Sequence, residues 1–546
     1  MASLNPLSGS LDLRKSKHLL RRATFNYTKA QLEVFTGMTA AGAVSSLISQ
    51  TANILPEPYD PLPVEAPDGF WTSAPELPNS FDDQPRKRGI VTGWWWYNAM
   101  NQISLKHKLS FFLHTCFTVG KDDGVGASTY FFDYVRLLDF HAFGNIKTLA
   151  KKITLDNGML DYLDNTQNNK NNPNENYARE YLELFTILEG KQIGQGNYTN
   201  YTEIDIQQAA KVFSGFRIQE DRSILDPDTG IPMGYVNSDL HDTDNKTFSA
   251  AFGNQIITGR NLEADIFGEL SDFVEMVFAQ PETAKSYCRK LYRYFVKSTW
   301  DEEVETDIIA PLAQLLIDNN YEILPVVQTL LSSEHFYDSD DSDATDEIIG
   351  SIIKSPLQLV SEVCSVFNVS YPNPNTDALK FYNDFFYKFI HNSYFRAAGM
   401  DFYNPEVVAG YPAYYQEPNF DRHWFSSNTI IGRYRLIESL VEGKNTINSG
   451  DMYASLDTVL FVKNQISNAS DPNLLISEMA DLLYTESIDT DRINYFKSFL
   501  LDQGFPDYYW TTTWNSYLSN SDDITVRTRL DALVIAMINA AEFQLM

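Results

Sequence analysis

Apolar residues recur at helical spacing along most of the chain. Leu109, Phe112, Leu113 and Cys116 follow an i, i+3, i+4, i+7 pattern, and Ile206, Ala209, Ala210 and Phe213 repeat it. At about 100° per residue, each set shares one face of an α-helix. The second set follows Thr202-x-x-Asp205, a capping-box-like pair that satisfies two backbone N–H groups reciprocally at a helix start. Pro281 opens a further helix at its first turn, where its missing N–H is harmless. In that helix Ala284, Tyr287, Cys288, Leu291 and Phe295 are expected to face a core. Lys285, Arg289, Arg293 and Lys297 fall largely elsewhere and are expected on a solvated or ion-paired face.

The periodicity breaks in a few places. Residues 217–260 hold Asp226-Pro-Asp-Thr-Gly230, Pro232, Gly234, Gly253 and Gly259 between short β-prone pieces, which predicts a loop with one or two hairpins. Asp338 to Glu347 is acidic and lacks apolar side chains apart from one alanine, as a linker or exposed loop would. Its aspartates resemble a calcium loop only loosely, without the mid-loop Gly and the terminal Glu at the required spacing. Residues 165–176, 371–376 and 399–428 are rich in turn formers. The pattern predicts a mainly α protein: two packed helical domains, 1–337 and 348–546, joined by an acidic linker at 338–347, with a small β-hairpin/loop insertion at 217–260.

One stretch combines apolar periodicity with charge. In Asn174-Glu-Asn-Tyr-Ala-Arg-Glu-Tyr-Leu-Glu-Leu-Phe-Thr186, a regular helix puts Tyr177, Tyr181, Leu184, Phe185 and Leu188 on one face. Arg179 and Glu183 then lie about 40° apart on the far side, flanked by Leu182 and Ile187. Glu180 and Glu183 lie about 60° apart, close enough for repulsion to raise one carboxyl's pKa, with Arg179 opposing the effect. A helix apolar nearly all round is expected to be buried, and buried charges are costly unless paired. The three charges therefore read either as a buried Arg–Glu staple or as a site.

Composition narrows the classes. The chain has 546 residues, 42 basic against 72 acidic, for a net charge of −30. That field disfavours nucleic acid and anionic membranes, because phosphate binding needs an excess of Lys and Arg. Aromatic residues make up 14%, enough for large interlocked cores or an aromatic-lined cleft. Cys116, Cys288 and Cys364 are widely spaced in apolar helical contexts and read as buried core residues rather than a disulfide framework. No apolar run reaches the roughly 18 residues of a membrane span, and the first ten residues do not read as a secretory signal. Nucleophile elbows, P-loops and dinucleotide fingerprints are absent.

Other candidate chemistry is dispersed. His241-Asp242, with Asp244, Lys246 and Thr247 close by, could supply a general base, a metal ligand or a substrate contact, or could simply be a turn. His107 and His114 are seven residues apart and share a helix face. If His114, Glu183 and His241 converge, two imidazoles and a carboxylate could hold a divalent metal such as zinc or iron. Trp94-Trp-Trp-Tyr97 could be a sugar-stacking platform, but three successive Trp on a helix point three ways, so one or two are expected in the core.

Several stretches, in order, resemble one bacterial family, domain of unknown function 1800. They are His18 to Phe25, Leu105 to Phe117, His141-Ala-Phe-Gly-Asn145, Asn174 to Thr186 and Asp205 to Phe216. His241-Asp242 through Lys246-Thr247 and Pro281 to Val296 follow, then Lys354-Ser-Pro-Leu and Asn404-Pro-Glu-Val-Val-Ala-Gly410 with Trp424. The chain departs from the family pattern at Leu113 and Cys116, which replace a Trp and a His around His114, and at Tyr411, where a Trp is common. It also carries an inserted aromatic stretch, Tyr414-Tyr-Gln-Glu-Pro418. The resemblance implies a predominantly helical, exported or periplasmic, envelope-associated protein. It also implies a partner resembling the sulfatase/alkaline-phosphatase family.

Two functions are carried forward. The first is a binding or assembly protein of the cell envelope. The second is a hydrolase acting on glycan or another polymer, with Arg179, Glu180, Glu183, His241 and Asp242 as catalytic groups. In that reading Asn176, Lys246, Thr247 and Trp424 contact substrate.

Overall fold

The computed structural model describes residues 2–49, 57–62, 69–73, 83–340, 346–441 and 453–546. Among these residues the protein is mainly α, with 24 α-helices and three two-stranded antiparallel sheets. Helix starts follow local chemistry. Asp12 caps Leu13–Ala23 by accepting from the Lys15 N–H, Thr202 and Asp205 form the expected capping box on Glu203–Val212, and Pro281 opens Pro281–Phe295. No helix among the described residues is long and apolar enough to cross a membrane.

The 217–260 region contains two short hairpin-like pairings, Phe216–Arg217 with Tyr235–Val236 and Lys246–Thr247 with Ile256–Ile257. A third pair, Gln192–Gly194 with Asn197–Tyr198, follows the Asn174–Thr186 stretch. Residues 341–345, within the acidic linker, lie outside the described residues.

One continuous hydrophobic cluster takes side chains from both 1–337 and 348–546. The Leu13–Ala23 helix shows how they join. From Ser16 to Ala23 every residue is buried. Arg21 reaches Glu362 at 2.8 Å, Lys354 meets the other Glu362 oxygen at 3.0 Å, and the Tyr27 hydroxyl donates to Glu362 at 3.2 Å. Arg22 donates to the main-chain oxygens of Ile348 and Met546 at 2.9 and 2.6 Å. Two cations sharing one carboxylate, with carbonyls accepting from other donors, offsets part of the cost of burying such charges.

The tryptophan run divides as helix geometry requires. Trp95 packs among Phe25, Phe111 and Phe402, and Trp96 among Tyr371, Phe385 and Phe386. Trp94 is only partly buried. All three cysteines are buried and free.

Candidate functional site

The charged stretch begins as an α-helix, Asn176–Glu180, and widens to a π-turn at Tyr181–Phe185. The Thr186 hydroxyl ties the turn by donating to the Tyr181 carbonyl at 2.6 Å. Past Glu180 each residue turns by less than in an α-helix, so the regular wheel no longer places the side chains. Tyr177, Tyr181, Leu182 and Phe185 are buried, while Leu184 and Leu188 lie at the edge of a cleft of about 720 Å³.

The Pro281–Phe295 helix forms the opposite side. Its apolar face, Ala284, Tyr287, Cys288, Leu291 and Phe295, is buried as the spacing predicts. Ser286, Arg289, Lys290 and Arg293 repeat at i, i+3, i+4 and i+7 and line the cleft. The third wall is Val408, Ala409 and the aromatic Tyr414–Phe420 stretch. Gly410 brings that wall close: its φ is +92°, and a Cβ there would lie 3.2 Å from the Thr118 hydroxyl. Thr115 and Cys116, at the end of Leu105–Cys116, close the inner end.

The three cations differ in their partners. Arg289 is neutralised: its Nη2 lies 2.6 Å from Glu305, and it also pairs with Glu282. Lys290 donates to the Leu184 carbonyl at 2.5 Å but meets no carboxylate within ion-pair distance among the described residues. Burial lowers its pKa, and the Arg293 charge lowers it further against the nearby Cys116 thiol. Arg293 is held by rings, 4.3 Å from Phe420 and 5.1 Å from Trp300. It donates to the carbonyls of Ser298 and Tyr414, each at 3.4 Å. Burial brings its pKa down to about 10; Glu417 opposes this through space without forming an ion pair. The cleft therefore presents two neighbouring cations with no carboxylate within ion-pair distance among the described residues, flanked by Trp300, Tyr414, Tyr415 and Phe420, with Glu417 also on its wall. Such an arrangement accepts an anion and stacks a flat apolar surface.

The residues singled out from sequence fall in separate places. Arg179 is about a third exposed and pairs with Glu203 at 2.8 Å and Glu175 at 3.4 Å. The buried Arg–Glu staple is thus replaced by a surface pairing with carboxylates outside the Glu180–Glu183 turn. Burial, reinforced by the Glu183 charge and opposed by Arg179, pushes Glu180 up to about 7. Glu183 is raised by burial and by Glu189 and accepts from the Tyr201 hydroxyl at 3.4 Å. Asn176 donates to the Leu163 carbonyl at 3.1 Å, fastening the helix start.

His241 is sealed in the interior. Its Nδ1 lies 2.8 Å from the Ser214 carbonyl and its Nε2 3.3 Å from Glu269. Lys246 reaches the other Glu269 oxygen at 2.6 Å and also bonds the Asp242 carbonyl. Asp242 is buried beside them, whereas Thr247 is exposed. This cluster fastens the second hairpin to Glu263–Phe278 and lines no part of the cleft. Trp424 is buried against Tyr411 and Tyr414, behind the cleft wall.

His114 is also buried. Its Nδ1 lies 2.8 Å from the Tyr134 hydroxyl, which itself donates to the Phe117 carbonyl. Burial drives the imidazole down to about 3. The metal set His114, Glu183 and His241 is not assembled: among the described residues no three His, Cys, Asp or Glu side chains are placed to hold an ion. The two histidines are each enclosed by their own partners, and Glu183 is half-buried beside Tyr201.

The sequence pattern does not single out Lys290, Trp300 or Phe420, and it assigns Arg293 to a solvated or ion-paired face. The available signal was the four-residue polar stripe on the Pro281–Phe295 helix. Its pairing state depends on rings contributed by distant segments.

The family model described as Protein of unknown function (DUF1800) matches residues 18–545, so the chain belongs to that family. No curated protein and no solved structure matches it. Four of the stretches that carry the family resemblance meet at the cleft. Leu105–Phe117 supplies Thr115 and Cys116, Asn174–Thr186 supplies Leu184, Pro281–Val296 supplies the cations, and Asn404–Gly410 supplies Val408 and Ala409.

Proposed function

We propose that this DUF1800 protein is a binding protein whose cleft takes an anionic ligand. A phosphate, sulfate or carboxylate group would sit on Lys290 and Arg293, with the rest of the ligand against the aromatic walls. The observation that carries this reading is that neither cation meets a carboxylate within ion-pair distance among the described residues, in a chain with 30 more acids than bases. With carboxylates in such excess, two neighbouring cations left without one are held at a cost that a bound anion would offset. Placement at the cell envelope rests on the family resemblance alone. A partner resembling sulfatases and alkaline phosphatases would handle the same class of anionic ester.

The test is calorimetric titration and thermal unfolding with inorganic phosphate, sulfate and glucuronate at low salt. At least one should bind and raise the unfolding temperature, less so as salt screens the charges. Lys290→Met and Arg293→Met should each weaken binding roughly tenfold or more, the range of a lost charge-assisted contact. Silence from all three anions, or equal binding by both variants, would sink the proposal.

A second reading, a hydrolase acting on glycan or another polymer, is favoured by Glu180. A half-buried carboxyl held at about 7 is suited to donate a proton at neutral pH. Hydrolysis of aryl glycosides should then decline above about pH 7 and be lost in Glu180→Gln. Full activity in that variant would exclude the role.

A further inference from the structure

We propose that the ligand of the cleft is a zwitterion: a small molecule carrying an ammonium group as well as the anion, with Glu417 and the Tyr415 ring holding the ammonium. This inference rests on the anion-binding reading of the cleft and assigns the other end of the ligand.

Two carboxylates line the cleft, Glu305 and Glu417. Glu305 is engaged: it lies 2.6 Å from Arg289 and accepts from the Trp300 indole N–H at 3.1 Å. Asp421, just past Phe420, is engaged too. The Ser298 hydroxyl donates to it at 2.5 Å and the Ile353 backbone N–H at 2.7 Å. Those bonds fasten the Tyr414–Phe420 wall and leave Asp421 little capacity for a ligand. Glu417 differs from both. It is exposed, it lines the cleft, and its carboxylate makes no hydrogen bond or ion pair among the described residues.

Its opposite number is Arg293. Glu417 acts on Arg293 through space, yet the two stay beyond ion-pair distance. Arg293 is held where it is by the Phe420 and Trp300 rings and by the carbonyls of Ser298 and Tyr414. The cleft thus keeps charges of opposite sign apart on its own walls. A simple anion on Lys290 and Arg293 would meet repulsion from Glu417, whereas a ligand with a charge of each sign would satisfy all three groups. At about 720 Å³ the cleft has room for both ends of such a molecule.

The ring on this wall fits the same ligand. Tyr415, two residues before Glu417, lines the cleft and is 38% exposed. Tyr414 packs against Tyr294, and Trp300 and Phe420 are taken up by Arg293. The Tyr415 ring meets no other ring and no cation among the described residues. A carboxylate and an uncovered aromatic face on one wall attract an ammonium by charge and by the ring quadrupole.

The experiment is calorimetric titration of the full chain at low salt, below the pKa of the amines. It uses two pairs of phosphate esters that differ in one group and in span: glucosamine 6-phosphate against glucose 6-phosphate, and 3-aminopropyl phosphate against propyl phosphate. Inorganic phosphate reports on the anion end alone. In at least one pair the amino ester should bind about tenfold tighter, the scale of one charge-assisted contact. Glu417→Gln should bring that pair to within about twofold of each other while tightening inorganic phosphate, because a nearby negative charge is gone. Tyr415→Leu should weaken the amino ester about two- to fivefold, as for an exposed cation–π contact. Both side chains are exposed, so both variants should unfold at the wild-type temperature. No amino preference in either pair, or a preference that survives Glu417→Gln, would overturn the zwitterion while phosphate binding kept the anion reading standing. Silence toward phosphate and all four esters would overturn both.

Discussion

Glu180 shows how one side chain's environment becomes measurable. Burial and the neighbouring Glu183 charge make its ionised form unfavourable in the folded protein, so its pKa rises from 4.5 to about 7. Between those values the native state holds a proton that the unfolded chain has released. Stability contributed by this group therefore falls as pH rises through that window and is level above it. Glu180→Gln should remove this slope and stabilise the protein at alkaline pH by on the order of 1 kcal/mol, partial exposure screening the rest. Denaturant unfolding at both ends of the window measures it directly. A variant that keeps the wild-type pH dependence would show that Glu180 ionises as an ordinary exposed carboxyl. Lys290 is a parallel case in which burial disfavours the charged form, and an anion at the cleft would reverse that effect.

The second hairpin illustrates the next scale. Its pairing is two residues long on each side, too short to stand alone in water. What fixes it is Lys246 on the strand and His241 before it, both gripping Glu269 on Glu263–Phe278. The Arg260 backbone N–H adds a third bond to the same carboxylate at 3.0 Å. Glu269→Gln would leave the buried Lys246 ammonium with only Asp242, at 3.7 Å, as counter-charge and should cost up to roughly 3 kcal/mol. Hydrogen exchange should quicken first at residues 241–260, because the fastened element is the one released. Uniform loss of protection over the whole chain would mean that the hairpin unfolds only with everything else. The π-turn at Tyr181–Phe185 works differently: it lets Leu184 and Leu188 meet the cleft while Glu180 and Glu183 stay on another side of the same turn.

For the molecule as a whole, the Leu13–Ala23 helix is the tie between distant parts of the chain. Glu362 receives Arg21, Lys354 and Tyr27, and each of the two cations depends on that one carboxylate. Glu362→Gln should destabilise the protein by roughly 3–5 kcal/mol. Because one hydrophobic cluster runs through both parts, tryptophan fluorescence and far-UV circular dichroism should still follow a single shared transition. Two separated transitions in the variant would show that 1–337 and 348–546 hold together chiefly through this network. Net charge acts at the same scale. A charge of −30 repels anions at long range, so the proposed anionic ligand would depend on Lys290 and Arg293 to offset that field locally.

Hydrophobic spacing located the helices, the capping box at Thr202 and Asp205, the Pro281 start, the buried cysteines and the hairpins of 217–260. These are local properties, set by periodicity and by side chains reaching backbone groups a few residues away. The family resemblance, too, was legible in the residues and extends over 18–545. Burial and pairing of individual charges were not legible in that way. Whether His241 is a site or a fastener depends on Glu269, 28 residues on. Whether Arg293 is paired or free depends on Phe420, contributed by a different segment. The helical wheel also failed beyond Glu180, where the backbone widens into a π-turn that spacing alone does not reveal. Periodicity states which face of an element is apolar, but desolvation and Coulomb energy depend on distances in space, and those exist only once the chain has closed on itself.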